Sequence, residues 1–125
     1  MSMDLNGKHK SKSIVHSFSY AITGIITAVK QERNMRFHLV SAIIVLFLSI
    51  YFSITKMEWL FVLFAIGGML VLEMLNSAIE RVVDLSTTEI HPLAKQAKDM
   101  AAGAVFLFAI LSIVVGLFIF LPYIF

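Results

Sequence analysis

GGMLVLEMLNSAIERVVD, residues Gly67–Asp84, begins inside a long apolar run and ends having gathered three carboxylates. Wound as an α-helix at about 100° per residue, it puts Glu73, Asn76, Glu80 and Asp84 within an arc of about 80°. Met74, Leu75, Ala78, Ile79, Val82 and Val83 cover the other faces. A helix that is apolar everywhere except along one acidic stripe is not a soluble surface helix. Ionisable groups at membrane depth are expensive, and by default they mark a functional site. The plain alternative is a buried ion pair that only joins helices. It accounts for one acid more readily than for three acids and an amide.

The rest of the chain agrees with a membrane setting. Of its 125 residues 59% are hydrophobic and 14% charged, against about 25% charged in ordinary soluble domains. The length suits one all-α integral membrane domain of three spans, each needing about 20 residues. There is no cysteine, which excludes disulfides and thiolate metal sites, and the net charge of +2 does not suggest nucleic-acid binding. No cleavable signal peptide is expected, because the first 13 residues are polar and the first long apolar run starts only at Leu39.

Residues 1–12 read as a polar, basic tail whose Lys8, Lys10 and Lys12 can meet anionic headgroups. Over 13–31 Ile14, Phe18, Ala21, Ile22, Ile25 and Val29 recur at threes and fours. Polar residues break the stretch too often for it to span, which predicts an amphipathic surface helix lying in the interface. KQERNMRFH, residues 30–38, groups Lys30, Arg33 and Arg36 around one acid, Glu32. The cations read equally as a flank that orients the first span; an acid adds nothing to such a signal.

The three helices containing the spans are expected at 34–54, 58–85 and 93–124. Trp59 opens the second as an interfacial anchor. Glu73 lies 14 residues beyond it, about 21 Å along the axis, which sets it in the far leaflet with Glu80 and Asp84 near the headgroups. Ser86–Pro92 is expected to be a loop. Thr88, or Ser86 to Thr87, is expected to cap the third of these helices, with Pro92 at its opening. Gly67-Gly68 and Ala101–Ala104 read as small-residue packing surfaces, and Pro122 lies too near the chain end to disturb the last span. Nine of the ten Lys and Arg residues fall on the side of the N-terminus and second loop, and only Lys56 on the other. The N-terminus is therefore expected in the cytoplasm of a multi-pass plasma (inner) membrane protein.

This topology brings Glu32, the acidic end of the second span, and His91, Lys95, Lys98 and Asp99 to one boundary. Carboxylates there can hold a hard cation, and Mg²⁺ commonly takes one or two carboxylates plus substrate phosphates. Lysines beside them neutralise phosphate charge. Glu73 lies deeper, within reach of a lipid hydroxyl, where a carboxylate suits a general base. The parts together imply phosphoryl transfer from a nucleotide to a lipid alcohol, in which positioning and charge neutralisation supply most of the catalysis. Neither GxxxxGK[ST] nor GxGxxG occurs. His9, His16 and His38 have no partner spacing and read as surface or interfacial residues.

EMLNSAIERVVD at Glu73–Asp84, together with AKQAKDMAAGAV at Ala94–Val105, resembles the small bacterial diacylglycerol kinases, integral membrane lipid kinases unrelated to soluble kinases. The resemblance runs from about Lys12 to the C-terminus, and the two motifs together are highly specific. It implies a homotrimer of three-span protomers with an N-terminal surface helix and active sites shared between neighbours. It further implies Glu73 as general base, and Glu32 and Glu80 as the Mg²⁺-binding pair. Asn76, Lys98 and Asp99 would contact ATP, with Lys98 near the phosphates, and Tyr20 would lie near the adenine. KDMAAGAV and ERNMRFH look more like the family's undecaprenol-phosphorylating branch than its diacylglycerol branch. Two other classes stay open: a proton-relay or transporter subunit, which would need polar residues at mid-depth on facing helices, and a non-catalytic membrane scaffold.

Overall fold

A bilayer offers no water to satisfy backbone N–H and C=O groups, so apolar runs of this length must close their hydrogen bonds internally as helices. The computed structural model describes residues 10–125, with side chains from residue 13 onward. Its elements are α1 (Lys10–Gln31), α2 (Arg33–Tyr51), α3 (Lys56–Ser86) and α4 (Pro92–Ile124). α2, α3 and α4 are each long and apolar enough to cross a membrane. α1 starts at Lys10, three residues before the expected start, while the tail and the side chains of Lys8, Lys10 and Lys12 lie outside the described residues.

α3 is the central helix. α4 packs along it, α2 packs on it, and α1 reaches α2 and α3. Ile54, Val62 and Ile119 form a buried cluster at the end remote from the acidic stripe, with Trp59, Phe52 and Phe120 against it. Trp59 thus joins the packing as well as opening the helix. Of the two glycines, only Gly68 makes a close approach: a Cβ there would run into the Phe108 ring of α4, whereas one at Gly67 would meet open space. Phe47, Phe64 and Phe118 turn outward, 69%, 80% and 79% exposed, as a surface meant for lipid or another chain requires.

The α2–α3 turn departs from expectation. α2 stops at Tyr51, not Ile54, because Ser53 adopts a left-handed φ of 50°. Ser53 N–H then donates to Ile50 O (3.1 Å) and Ile54 N–H to Ser49 O (3.2 Å), a Schellman closure made without glycine. α3 begins at Lys56, two residues early, through a capping box. Glu58 N–H donates to Thr55 Oγ1 at 3.2 Å, and Thr55 N–H donates to Glu58 Oε1 at 2.9 Å. The Tyr123 hydroxyl donates to the same Glu58 oxygen at 2.5 Å, tying the end of α4 to this turn. α4 runs through Pro122 to Ile124.

The α3–α4 connection also corrects the capping assignment. α3 continues to Ser86 with Thr87 as its C-cap. The N-cap of α4 is neither Thr88 nor Ser86–Thr87 but His91, whose Nδ1 accepts from Leu93 N–H at 3.1 Å. Pro92 as first helical residue puts the cap one position before it.

A left-handed conformation costs a β-carbon-bearing residue about 1–2 kcal/mol. Replacing Ser53 by glycine is therefore expected to raise the thermal midpoint in detergent, offset in part by the looser unfolded chain. Ser53→Val should lower it by more than the gain; equal midpoints for the two variants would contradict the Schellman account.

Candidate active site

The stripe on α3 enters the bundle at an angle to solvent, and its burial falls along the helix. Glu73 is 2% exposed, Asn76 8% and Ser77 4%; Glu80 is half-buried and Asp84 exposed. Eleven residues separate Glu73 from Asp84, about 16 Å of axis, so one helix face carries carboxylates from a dry interior to an open end.

Glu73 Oε2 lies 3.8 Å from His38 Nε2 on α2, a charge contact too long for a normal hydrogen bond. Glu32 and Glu80 are close enough to act on it electrostatically. Asn76 Nδ2 donates to Glu80 Oε1 at 3.5 Å, a long bond that leaves Asn76 Oδ1 buried without a donor. A buried acceptor with no partner is costly, about 1–3 kcal/mol, and such groups call for an explanation.

Glu32 occupies the elbow between α1 and α2 as the N-cap of α2, with φ −103° and ψ 116° and no side-chain capping bond. Its carboxylate is thus free to meet Arg81 of α3, Nη1 to Oε1, at 2.7 Å. The same guanidinium donates from Nη2 to Gln31 Oε1 at 3.0 Å. Lys98 pairs with Asp84 at 2.5 Å, and Asp99 with Lys95 at 2.6 Å. Lys98 therefore joins α4 to α3 through Asp84 and not through the buried Glu73. His91 is engaged as the α4 cap. Tyr20 is exposed on α1, its ring 6.2 Å from that of His16.

His38 corrects the reading of the histidines as partnerless. It is half-buried against Glu73 and heads an apolar cleft of about 560 Å³ that passes Phe37, Ala42, Val62 and Met69 and reaches Phe120. Periodicity had no means of finding it, since nothing in the spacing says which face of α2 meets α3. Arg81 likewise carries no signal in the sequence beyond its place among the basic residues.

Among the described residues no three His, Cys, Asp or Glu side chains converge as a ready-made metal cage. Glu32 and Glu80 both lie close enough to Glu73 to act on it electrostatically. Hard carboxylate oxygens of this kind fit a divalent cation whose remaining ligands arrive as phosphates.

The family model of prokaryotic diacylglycerol kinase matches residues 19–120. The chain belongs to this family. It is 49% identical over 106 residues to undecaprenol kinase of Bacillus subtilis, covering 85% of this chain and 86% of that one. It is 35% identical over 118 residues to a diacylglycerol kinase of Synechocystis, covering 94% and 67% respectively. A diacylglycerol kinase of Escherichia coli K12 is 27% identical over 101 residues, 81% of this chain and 83% of its own. As a member of the prokaryotic diacylglycerol kinase family the chain is a membrane lipid kinase, and the kinase reaction uses ATP.

The ion pairs at the rim of this kinase's site do little for its stability. Lys98 and Asp84 side chains are 40% and 65% exposed, and solvent screens an exposed pair so that it adds little to stability. Asp84→Asn should leave the detergent thermal midpoint within about a few degrees of wild type. A drop of the size caused by a large-to-small core change such as Ile119→Ala would show that the pair is structural.

Proposed function

We propose that this chain is a Mg²⁺-dependent kinase that transfers the γ-phosphoryl group of ATP to undecaprenol, giving undecaprenyl phosphate. The observation that carries this reading is the burial of Glu73 between an apolar cleft and a layer of charged side chains. A lipid tail in the cleft would bring its hydroxyl up to Glu73, while a nucleotide enters from the charged side. The 49% identity to an undecaprenol kinase favours a polyprenol acceptor over diacylglycerol.

In this reading Glu73 accepts the hydroxyl proton as the lipid oxygen bonds to the γ-phosphorus and the bond to the ADP oxygen breaks. Glu32 and Glu80 would hold Mg²⁺, whose charge neutralises the phosphates. Lys98 and Asp99 leave their ion pairs for the nucleotide, Asn76 takes a donor at its unpartnered oxygen, and Tyr20 and His91 flank the nucleotide end. We assign the charged end to the cytoplasm of the plasma membrane, supported by the excess of basic residues there. α1 would lie in the interface, supported by its exposed Ile14, Phe18, Ile22 and Ile25. The working unit is a homotrimer with shared active sites, supported by the broad apolar faces each protomer leaves open; a detergent-corrected mass of one protomer with full activity would exclude it.

Thin-layer chromatography of radiolabelled lipid after incubation with ATP, Mg²⁺ and either undecaprenol or diacylglycerol tests the proposal. Undecaprenol should be phosphorylated faster. Glu73→Gln should lose about 10²–10⁴-fold in turnover, the usual contribution of a general base. Faster labelling of diacylglycerol would overturn the acceptor, and wild-type turnover in Glu73→Gln would overturn the base.

A further inference from the structure

Arg81 stands one residue beyond Glu80, yet it points away from the stripe's acids on its own helix and across to the chain's other end. Its guanidinium meets two consecutive residues of the α1–α2 elbow: Glu32 at 2.7 Å and Gln31 at 3.0 Å. A third bond, from Nη1 to Ser77 O at 3.3 Å, fixes the guanidinium against α3 itself. The elbow is braced from its other side by Arg36, whose Nη1 donates to Val29 O at 3.1 Å and Lys30 O at 2.8 Å, closing the last turn of α1. Below it Ala28 and Met35 are buried, 7% and 2% exposed. α1 otherwise touches α3 sparsely.

We infer that Arg81 is a positioning residue: its guanidinium clamps Gln31 and Glu32 to α3, and so sets the Glu32 carboxylate over the site while docking the surface helix. The Arg81 side chain is 47% exposed and that of Glu32 24%, too open for the pair to matter much to global stability. What the fork supplies is geometry. A guanidinium that pairs with Glu32 through one nitrogen and donates to Gln31 through the other fixes orientation in a way a single ammonium does not. Glu32 spends no hydrogen bond on capping α2, which leaves its carboxylate to Arg81. The functional consequence rests on the reading of Glu32 as a Mg²⁺·ATP ligand; the clamp itself does not.

The chain has no cysteine, so Ser19→Cys on α1 and Leu85→Cys on α3 can be spin-labelled and their separation measured by pulsed electron–electron resonance. The measurement uses full-length protein in nanodiscs without nucleotide, diluted with unlabelled protein. Wild type should give one narrow distance, and Arg81→Gln a broadened or longer one. Arg81→Lys should recover part of the order and Gln31→Ala should lose part of it, which keeps the test open if Arg81→Gln assembles poorly. With activity assayed in parallel, KM for Mg²⁺·ATP should rise about tenfold in Arg81→Gln, the size expected for loss of a charge-assisted bond, with KM for lipid within about twofold of wild type. An unchanged distance distribution in Arg81→Gln and Gln31→Ala overturns the clamp. A broadened distribution with wild-type KM for Mg²⁺·ATP overturns its positioning role. If Glu32→Gln keeps the wild-type Mg²⁺ dependence, the assignment of Glu32 fails, and the distance measurement still decides the clamp.

Discussion

Burying a carboxylate among apolar helices is the constraint on which the rest of this structure depends. Glu73 is 2% exposed, and an ionised group taken so far out of water is tolerated only with a partner or a purpose. The fold supplies His38 at 3.8 Å and a side-chain contact from Asn34, and among the described residues no close ion pair. Replacing the residue with leucine would suit the packing better. In the reading proposed above, its presence is explained by chemistry at the buried end of the stripe.

Toward the open end the charges neutralise each other in pairs drawn from different elements. Glu32 comes from the elbow and Arg81 from α3; Asp84 comes from α3 and Lys98 from α4. Both pairs are partly exposed, but they differ. The Arg81 fork holds Glu32 together with Gln31, whereas Lys98–Asp84 is a lone ammonium–carboxylate pair that exchanges partners at low cost, which in the reading proposed above suits a group that takes up a phosphate. At the opposite end the bonding is of another kind. The Schellman closure at Ser53, the Thr55–Glu58 box and the Tyr123–Glu58 bond lock α2, α3 and α4 together there.

The three helices long and apolar enough to span a membrane and the acidic stripe on the second of them were legible in the sequence because they rest on period and length, which a single helix carries within itself. What was not legible depended on how helices turn toward one another. His38 has no spacing signal, since only the rotation of α2 against α3 brings it to Glu73. Arg81 and Glu32 are far apart in sequence and meet through the elbow. Gly67 and Gly68 look alike in the sequence, and only the position of Phe108 separates them. The turn at Ser53 has no glycine to announce it. The Thr55-x-x-Glu58 box and the His91 cap displace the expected start at residue 58 and the expected caps at Thr88 or Ser86 to Thr87, because a helix start is set by its local capping bonds and not by hydropathy.

Depth along α3 divides the labour, in the reading proposed above, with Glu80 serving the nucleotide and Glu73 the lipid hydroxyl. Equilibrium binding of a non-hydrolysable ATP analogue with Mg²⁺ to wild type, Glu80→Gln and Glu73→Gln measures that division directly. The predicted result is wild-type affinity for Glu73→Gln and a loss of about tenfold or more for Glu80→Gln, the cost of a charge-assisted contact. Equal losses in both variants would contradict it, because the stripe would then act as one undivided nucleotide site.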